Sequence, residues 1–372
     1  MTDELPTIPL RRTVLHELHR RHGGRFGAFA GWDMPIRYAA GPVAEHQQCR
    51  ESAALFDVSH MTVVDLQGPE LATGLERLMP ADLRAAPAGR LVYTFLTDDD
   101  GGILDDLMIC RRRDDAVRLV LNAATTEADL AYLTGQLPDD CAIDARRDLA
   151  LVALQGPRAE DVLAGFDPSV RGLTFLHEGR IDLGGHPVEL SRSGYTGGDG
   201  FELALPASAA PDLVELLLGR PEVALAGLAA RDSLRLEAGL CLYGHDLDPT
   251  TTPVEAGLQW AIPKSRRGGD AGYRGAPIIA RQLAEGPTRR RVGLRPVGRR
   301  PVREGAVLCL DGAELGTVTS GGYSPVLAAP VAMGYVAAAH AHPDVVLDAV
   351  TNDRAEPCRI VPLPFVAKDY HR

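Results

Sequence analysis

Two adjacent carboxylates, Asp105 and Asp106, lie in Gly101-Gly102-Ile103-Leu104-Asp105-Asp106-Leu107, just after the turn Asp98-Asp99-Asp100-Gly101-Gly102. The Asp/Gly cluster punctuates the chain, and Ile-Leu-x-x-Leu-Met-Ile-Cys beyond it reads as a largely buried strand. Neighbouring side chains of a strand point to opposite faces. The two aspartates are therefore not expected to share a proton with each other. At least one faces apolar surroundings, where a charge is costly unless a partner compensates it. A backbone amide or an arginine would be a structural partner, and a cationic substrate would be a functional one. For the strand taken alone, the structural partner is the favoured reading.

Three further constellations bear chemistry. Ser191-Arg192-Ser193-Gly194-Tyr195-Thr196-Gly197-Gly198-Asp199-Gly200-Phe201-Glu202 is dense in glycine. Its spacing is not that of a phosphate-binding loop, and no Lys follows. It reads as a tight loop entering a strand, with Glu202 near the strand's start. A carboxylate there either decorates the surface or accepts two parallel hydrogen bonds from an amino-pyrimidinone edge. In Gly227-Leu228-Ala229-Ala230-Arg231-Asp232-Ser233-Leu234-Arg235-Leu236-Glu237-Ala238, Arg231 and Arg235 share a helical face. Salt bridges to Asp232 and Glu237 are the favoured reading, with an anionic ligand as the alternative. His245 is a general-base candidate without a nucleophile motif, since Gly-x-Ser-x-Gly is absent.

The chain of 372 residues is long enough for two or three domains, and its 45% hydrophobic and 24% charged content is that of a globular protein. No apolar run reaches the roughly 20 residues of a membrane helix, so no membrane association is expected. A net charge of −11 argues against broad nucleic-acid binding. Met1-Thr2-Asp3-Glu4-Leu5-Pro6 lacks the basic-then-apolar pattern of a signal peptide, and the expected location is cytoplasmic. Cys49, Cys110, Cys141, Cys241, Cys309 and Cys358 are scattered and suggest neither a disulfide frame nor a metal site. His16, His19 and His22 fall on one helix among five arginines, which predicts a solvated face and no metal.

The elements that position these residues alternate irregularly. Helices are expected over 12–22, 42–54, 71–78, 125–137, 158–164, 210–218 and 228–238. Strands are expected over 61–66, 91–96, 103–110, 117–121 and 149–154, with several short ones in 180–204. Phe29–Pro35 reads as an irregular aromatic segment. From about residue 288 the style changes to short strands at 291–294, 306–310, 314–319, 331–336 and 345–350, a β-rich C-terminal domain. Asp270–Pro287 contains the boundary. No long βαβ series precedes it, so the class is α+β, not a doubly wound sheet.

Together these segments resemble the glycine cleavage T-protein family, the aminomethyltransferases. The matching blocks include Phe29-Ala30-Gly31-Trp32-Asp33-Met34-Pro35, Leu55-Phe56-Asp57-Val58-Ser59-His60-Met61, Gly101–Leu107, and Gly194-Tyr195-Thr196-Gly197 with Asp199-Gly200-Phe201-Glu202. They continue through Ala230-Arg231-Asp232-Ser233-Leu234-Arg235-Leu236-Glu237-Ala238-Gly239, Thr252-Pro253-Val254-Glu255-Ala256-Gly257-Leu258 and Thr319-Ser320-Gly321-Gly322-Tyr323-Ser324-Pro325 to Pro364-Phe365-Val366. They run in family order over nearly the whole sequence.

The resemblance implies a three-domain, cloverleaf-like α+β fold with tetrahydrofolate in a central cavity. The implied domains are a discontinuous folate-binding unit of 1–60 and 145–275, a second α+β unit of 61–144, and a β-rich unit of 288–372. It also implies the activity: ammonia is released from the aminomethyl-lipoyl arm of the H-protein, and the one-carbon unit passes to tetrahydrofolate as 5,10-methylenetetrahydrofolate. Tetrahydrofolate and the lipoylated H-protein are the implied partners, with no metal. The family's key aspartate corresponds to Asp106, its pterin-binding glutamate to Glu202, and its ligand-contacting arginine to Arg231. Tyr370 fits the tyrosine that follows Pro-Phe-Val. Tyr93, Tyr195, Val120 and Asn122 correspond to positions around the folate. Asp105 keeps the structural reading, as a partner of backbone or of an arginine. Gly198 stands where the family usually carries Glu, and a glycine there is expected to loosen the presentation of Glu202.

Two other functions share this type of fold. A folate-binding iron–sulfur assembly protein would carry Lys-Gly-Cys-Tyr-x-Gly-Gln-Glu, where this chain has Gly239-Leu240-Cys241-Leu242-Tyr243-Gly244-His245-Asp246. A folate-dependent demethylase subunit would act on a methylated amine, although such enzymes usually add a flavin domain for which this chain has no room.

Overall fold

The computed structural model describes residues 9–352 and 354–372. The start Met1–Pro6, read above for a leader, lies outside them. Besides one two-stranded hairpin, three larger sheets organise the described residues. A six-stranded sheet has the order Glu178–Leu183, His186–Ser191, Gly200–Pro206, Leu149–Gln155, Ala53–Asp57, Val223–Leu225. Its last pair is parallel, whereas its other pairs are antiparallel. A five-stranded antiparallel sheet runs Leu91–Thr97, Ile103–Arg113, Ala116–Leu121, Thr62–Gln67, Ala142–Ala145. The C-terminal strands close into a six-stranded barrel from Arg289–Pro296 to Arg354–Val361. Helices beside mostly antiparallel sheets make the fold α+β, as the irregular alternation predicts.

The Asp106 strand shows why the sequence folds as it does. Asp98 Oδ1 accepts the backbone N–H groups of Asp100 (3.0 Å) and Gly102 (2.8 Å), so one side chain caps the turn. Gly101 has φ +79°, and a Cβ on Gly102 would sit 1.9 Å from the Pro249 carbonyl. Both glycines are therefore required for the hairpin to pass this loop. Beyond the turn, Asp105, Leu107 and Ile109 are buried, whereas Leu104, Asp106 and Met108 are only half-buried. The alternation separates the two aspartates onto opposite faces, as expected.

Several expectations are corrected. Phe29–Pro35 is not irregular: Arg25–Phe29 and Trp32–Arg37 pair as a hairpin across Ala30 (φ 48°) and Gly31 (φ 79°). Two positive φ angles give the turn that right-twisted strands prefer, and alanine rarely signals it. The helix expected over 42–54 ends at Glu51, and Ala53–Asp57 is a buried central strand. No Gly or Pro marks that change. The strand Arg354–Val361 completes the barrel and was not foreseen, because polar residues and Pro357 interrupt its pattern.

His16, His19 and His22 do not form a solvated face. His19 is fully buried, with Nε2 3.0 Å from Asp57 Oδ2 and Nδ1 2.8 Å from the Tyr38 hydroxyl. His16 bonds Asp33 at 2.9 Å, and only His22 is exposed. The arginines turn outward from the same short helix while these two imidazoles tie it to the strands.

Candidate active site

A cavity of about 1510 Å³ lies among the three sheets and takes residues from all of them. Asp106, Tyr93, Val120, Asn122, Tyr195, Glu202, Arg231 and Tyr370 all line it, as does His245. The structure thus brings together every residue singled out in the sequence for the site.

Asp106 projects from the half-buried face of its strand and is braced from two sides. The Tyr93 hydroxyl, on the adjacent strand, donates to Asp106 Oδ2 at 2.8 Å. Asn122 Nδ2 donates to the Asp106 backbone carbonyl at 2.8 Å and lies 3.3 Å from Oδ1. Burial, followed by the neighbouring Asp105, raises the Asp106 carboxyl from its ordinary 3.8 to about 7, against the lowering effect of both hydrogen bonds. Near neutral pH this group changes charge. Tyr93 is raised well above 10 by burial and then by the Asp106 charge, so it stays a donor. Its ring stacks on Trp260 at 5.5 Å, and Trp260 is 62% exposed.

Of the two structural partners expected for Asp105, the backbone is present, as the Asn122 N–H 3.4 Å from Oδ2, and no arginine bonds it among the described residues. Asn122 Nδ2 donates to its Oδ1 at 2.9 Å, and burial, then the charge of Asp129, raises its carboxyl above the ordinary carboxylate range.

At the far wall, Glu202 is third in the strand Gly200–Pro206 and accepts the Ser193 hydroxyl at 2.8 Å. Gly198 does not loosen it. Asp199 is clamped by Arg192 (Nε to Oδ1, 2.9 Å), and Glu202 itself is fixed by pairing with Ser191 and Ala153. Asp232 does pair with Arg235 at 2.8 Å, and Glu237 is held by Arg50 at 3.0 Å. Arg231 departs from the salt-bridged reading. It makes no ion pair among the described residues, its buried Nη1 has no hydrogen-bond partner, and its guanidinium lies 4.9 Å over the Tyr195 ring. Burial lowers its pKa, with Glu202 opposing. Tyr195 donates to the Cys241 carbonyl. The tail is pinned by Phe365 and Val366 N–H groups on the Glu237 carbonyl, at 3.0 and 3.1 Å. It delivers Tyr370, which stacks on Phe175 at 4.0 Å. His245 is tied to Glu304 at 2.7 Å on the exposed rim and makes no other side-chain hydrogen bond among the described residues.

Two lining residues carried no assigned role in the sequence. His60 is 5% exposed, and its buried Nδ1 has no partner. Burial, then the charge of Arg231, lowers it to about 4, so it is neutral. Its block, Leu55–Met61, was legible, but its isolation needs the fold. Trp260 could have been noticed as one of only two tryptophans. No group of three or more His, Cys, Asp or Glu able to hold a metal occurs among the described residues.

The family model described as the GCVT N-terminal domain matches residues 15–266, and that described as the glycine cleavage T-protein C-terminal barrel domain matches residues 289–367. A mitochondrial aminomethyltransferase of Gallus gallus is 42% identical over 371 residues, covering 97% of this chain and 94% of that protein. Its counterpart from Solanum tuberosum is 39% identical over 372 residues, covering 98% and 91%. The crystal structure of the glycine cleavage system aminomethyltransferase T from Bartonella henselae superposes with a TM-score of 0.93 at 42% identity, covering 98% of this chain and all of that one. Family models over most of the chain, near-full-length identity and a shared fold converge on one conclusion: this chain belongs to the glycine cleavage T-protein family of aminomethyltransferases.

Proposed function

We propose that the chain releases ammonia from an aminomethyl group carried on the lipoyl arm of an H-protein and passes the one-carbon unit to tetrahydrofolate. The observation that carries this reading is the placement of Asp106, a braced carboxylate facing a cavity large enough for a folate and a carrier arm together. Typical single-ligand sites are about 300–1,000 Å³.

The residues fit a pterin. Glu202 commits one oxygen to Ser193 and makes no hydrogen bond through the other among the described residues. Arg231 carries an unpartnered N–H on the same cavity. A ring edge with adjacent donors and an acceptor would satisfy both, and an orphaned buried donor is costly until something does. Tetrahydrofolate, when bound, supplies the two nitrogens that receive the carbon.

Asp106 then acts by electrostatics. Loss of ammonia leaves positive charge developing beside the carbon, and a fixed carboxylate stabilises charge better than mobile water does. Tyr93 and Asn122 fix its oxygens before the reaction, so little reorganisation is needed. Above pH 7 the group is mostly ionised and able to do this. Tyr93 stays protonated and holds one oxygen. Tyr195 and Tyr370 confine the cavity with their rings.

The test is ammonia release from aminomethylated H-protein plus tetrahydrofolate by Asp106→Asn. We expect a loss of about 10²–10³ in turnover with the fold intact. Near-parental turnover would sink the role given to Asp106, and formaldehyde release from a methylated amine in place of ammonia release would sink the reaction.

A further inference from the structure

His60 lines the cavity and takes no part in the chemistry assigned to Asp106. It sits on the turn between the strands Ala53–Asp57 and Thr62–Gln67, where the chain crosses from the six-stranded sheet to the five-stranded one. That turn is held at Val58, Ser59 and Met61. The Ser59 N–H donates to Asp57 Oδ1 at 2.9 Å, and Asp57 Oδ2 is itself held by the Thr13 hydroxyl at 2.6 Å. The Ser59 hydroxyl donates to the Leu151 carbonyl at 2.9 Å and accepts the Leu151 N–H at 3.1 Å. The Val58 N–H reaches the same carbonyl, and the Met61 N–H closes the turn on Val58, both at 3.0 Å. Phe29 packs against the imidazole at 5.4 Å with the two rings perpendicular. Backbone and ring are therefore fixed, yet the polar atoms of the ring are unused. Nδ1 is sealed from solvent without a partner, and Nε2, which is not sealed, makes no hydrogen bond among the described residues. A buried polar group costs free energy until something bonds it.

Arg231 belongs to the same part of the cavity. Its helix packs on this turn, because Val58 and Met61 share one apolar cluster with Ala230 and Leu234. A second buried cation beside Arg231 would be costly, and burial together with Arg231 holds His60 neutral. A neutral imidazole carries a hydrogen on one nitrogen only. A sealed N–H without an acceptor is rarer in folded chains than an unused acceptor. The hydrogen therefore belongs on Nε2, and the ring offers the cavity a donor. A carboxylate such as Glu202 can only accept, and the Arg231 guanidinium can only donate. The edge of a pterin presents two donors beside a carbonyl oxygen, and that oxygen has two lone pairs. The donors suit Glu202, and the carbonyl has room for Arg231 and one donor more.

We propose that His60 is a recognition residue for the pterin, its Nε2–H and Arg231 donating to the same ring carbonyl. This rests on the folate-binding role proposed for the cavity and adds to it a residue from the turn between two sheets. No proton changes hands in the contact. An imidazole that stays neutral down to about pH 4 is a weak base, so recognition suits it better than proton transfer. Because the turn is pinned before any ligand arrives, little ordering remains to be done on binding.

The experiment uses the full chain, tetrahydrofolate, and the analogue of tetrahydrofolate with an amino group in place of the ring carbonyl. His60→Phe keeps a ring and removes the donor. By calorimetry its Kd for tetrahydrofolate should be about tenfold higher than that of the parent, and His60→Gln, whose amide can donate from nearly the same place, should recover most of the loss. The analogue offers no acceptor at that position, so its Kd should not rise in His60→Phe. With nitrogen-15 histidine at pH 7.5, the parent should show an Nε2–H tautomer at His60, identified by its absence from His60→Gln, and that signal should move when tetrahydrofolate binds. This reading is made on the parent and does not depend on the folding of His60→Phe. Equal Kd values for tetrahydrofolate in the parent and both variants, an equal loss for the analogue, or an Nδ1–H tautomer that ignores tetrahydrofolate would overturn the proposal. A parent that fails to bind tetrahydrofolate would instead refute the proposed function itself, so the two failures are distinguishable.

Discussion

Replacing Asp106 with asparagine should cost activity and raise stability, and the size of the gain follows from its surroundings. In the folded chain the carboxyl is raised from 3.8 to about 7, chiefly by burial. A group whose folded pKa lies above its unfolded value gives its full stabilisation below the unfolded pKa, near pH 4, and loses it as pH climbs through 7. A shift of about 3 units corresponds to roughly 4 kcal/mol at about 1.4 kcal/mol per unit. Asp106 is only half-buried and meets the open cavity, where water screens part of the penalty. We therefore expect on the order of 2 kcal/mol to be lost by the parent between pH 5 and pH 8 through this group. The substituted amide does not titrate and still accepts from Tyr93. Urea unfolding midpoints of parent and Asp106→Asn at the two pH values isolate the term, because every other titrating group is common to both. The variant should exceed the parent by more at pH 8 than at pH 5, the difference growing by on the order of 2 kcal/mol. A variant less stable than the parent at pH 8, or a parent–variant difference that ignores pH, would refute the reasoning.

Tyr93→Phe removes a hydrogen bond that lowers the Asp106 pKa, so the acid limb of kcat/KM should move to higher pH by about one unit; a pH profile that moves the other way would exclude the assigned contact. Arg231→Met removes a half-buried guanidinium with no ion pair, so the ligand-free chain should melt no lower than the parent while the Kd for tetrahydrofolate rises about 10–100-fold, read by calorimetry. Gly198→Glu places at this position the residue that the family resemblance implies. A Cβ there meets nothing closer than Arg50 Nη1 at 3.6 Å, and no positive φ is needed, so folate affinity and stability should stay within about twofold of the parent.

Much of this site was legible because the information is local. Strand alternation separated Asp105 from Asp106 without a structure, and ordered motifs placed Glu202, Arg231, Asn122 and Tyr370 on a single cavity that the fold then assembles. What was not legible depends on contacts between distant segments. Asp129 lies 24 positions from Asp105, on a helix whose sequence gives no sign that one acidic residue turns inward. The same limit explains why backbone and arginine both stayed open as partners of Asp105, of which the Asn122 N–H is present. His16 and His19 look solvated among arginines until the strands carrying Asp33 and Asp57 pack over them. The missed hairpin turns on Ala30, whose backbone conformation is set by pairing on both sides rather than by its own preference. The missed strand Ala53–Asp57 gains its identity from neighbours that are about 100 and 170 residues away in sequence.

The groups left unsatisfied in the cavity have a common logic. Asp106 is raised towards neutrality, Arg231 keeps a bare Nη1, and His60 is held neutral with a bare Nδ1. Elsewhere in the same molecule some buried charges have close partners of opposite sign, such as Glu237 with His46 and Arg50, each at 3.0 Å. Asp106, Arg231 and His60 share one cavity. Opposite charges that could have been packed together as a salt bridge are instead placed on separate walls, Asp106 on the five-stranded sheet and Arg231 on a helix beside the six-stranded one. A ligand that supplies acceptors to Arg231 and positive charge to Asp106 gains interactions that water in the empty cavity provides only weakly. The interactions left open at these few positions are therefore available to the ligand where the carbon changes hands.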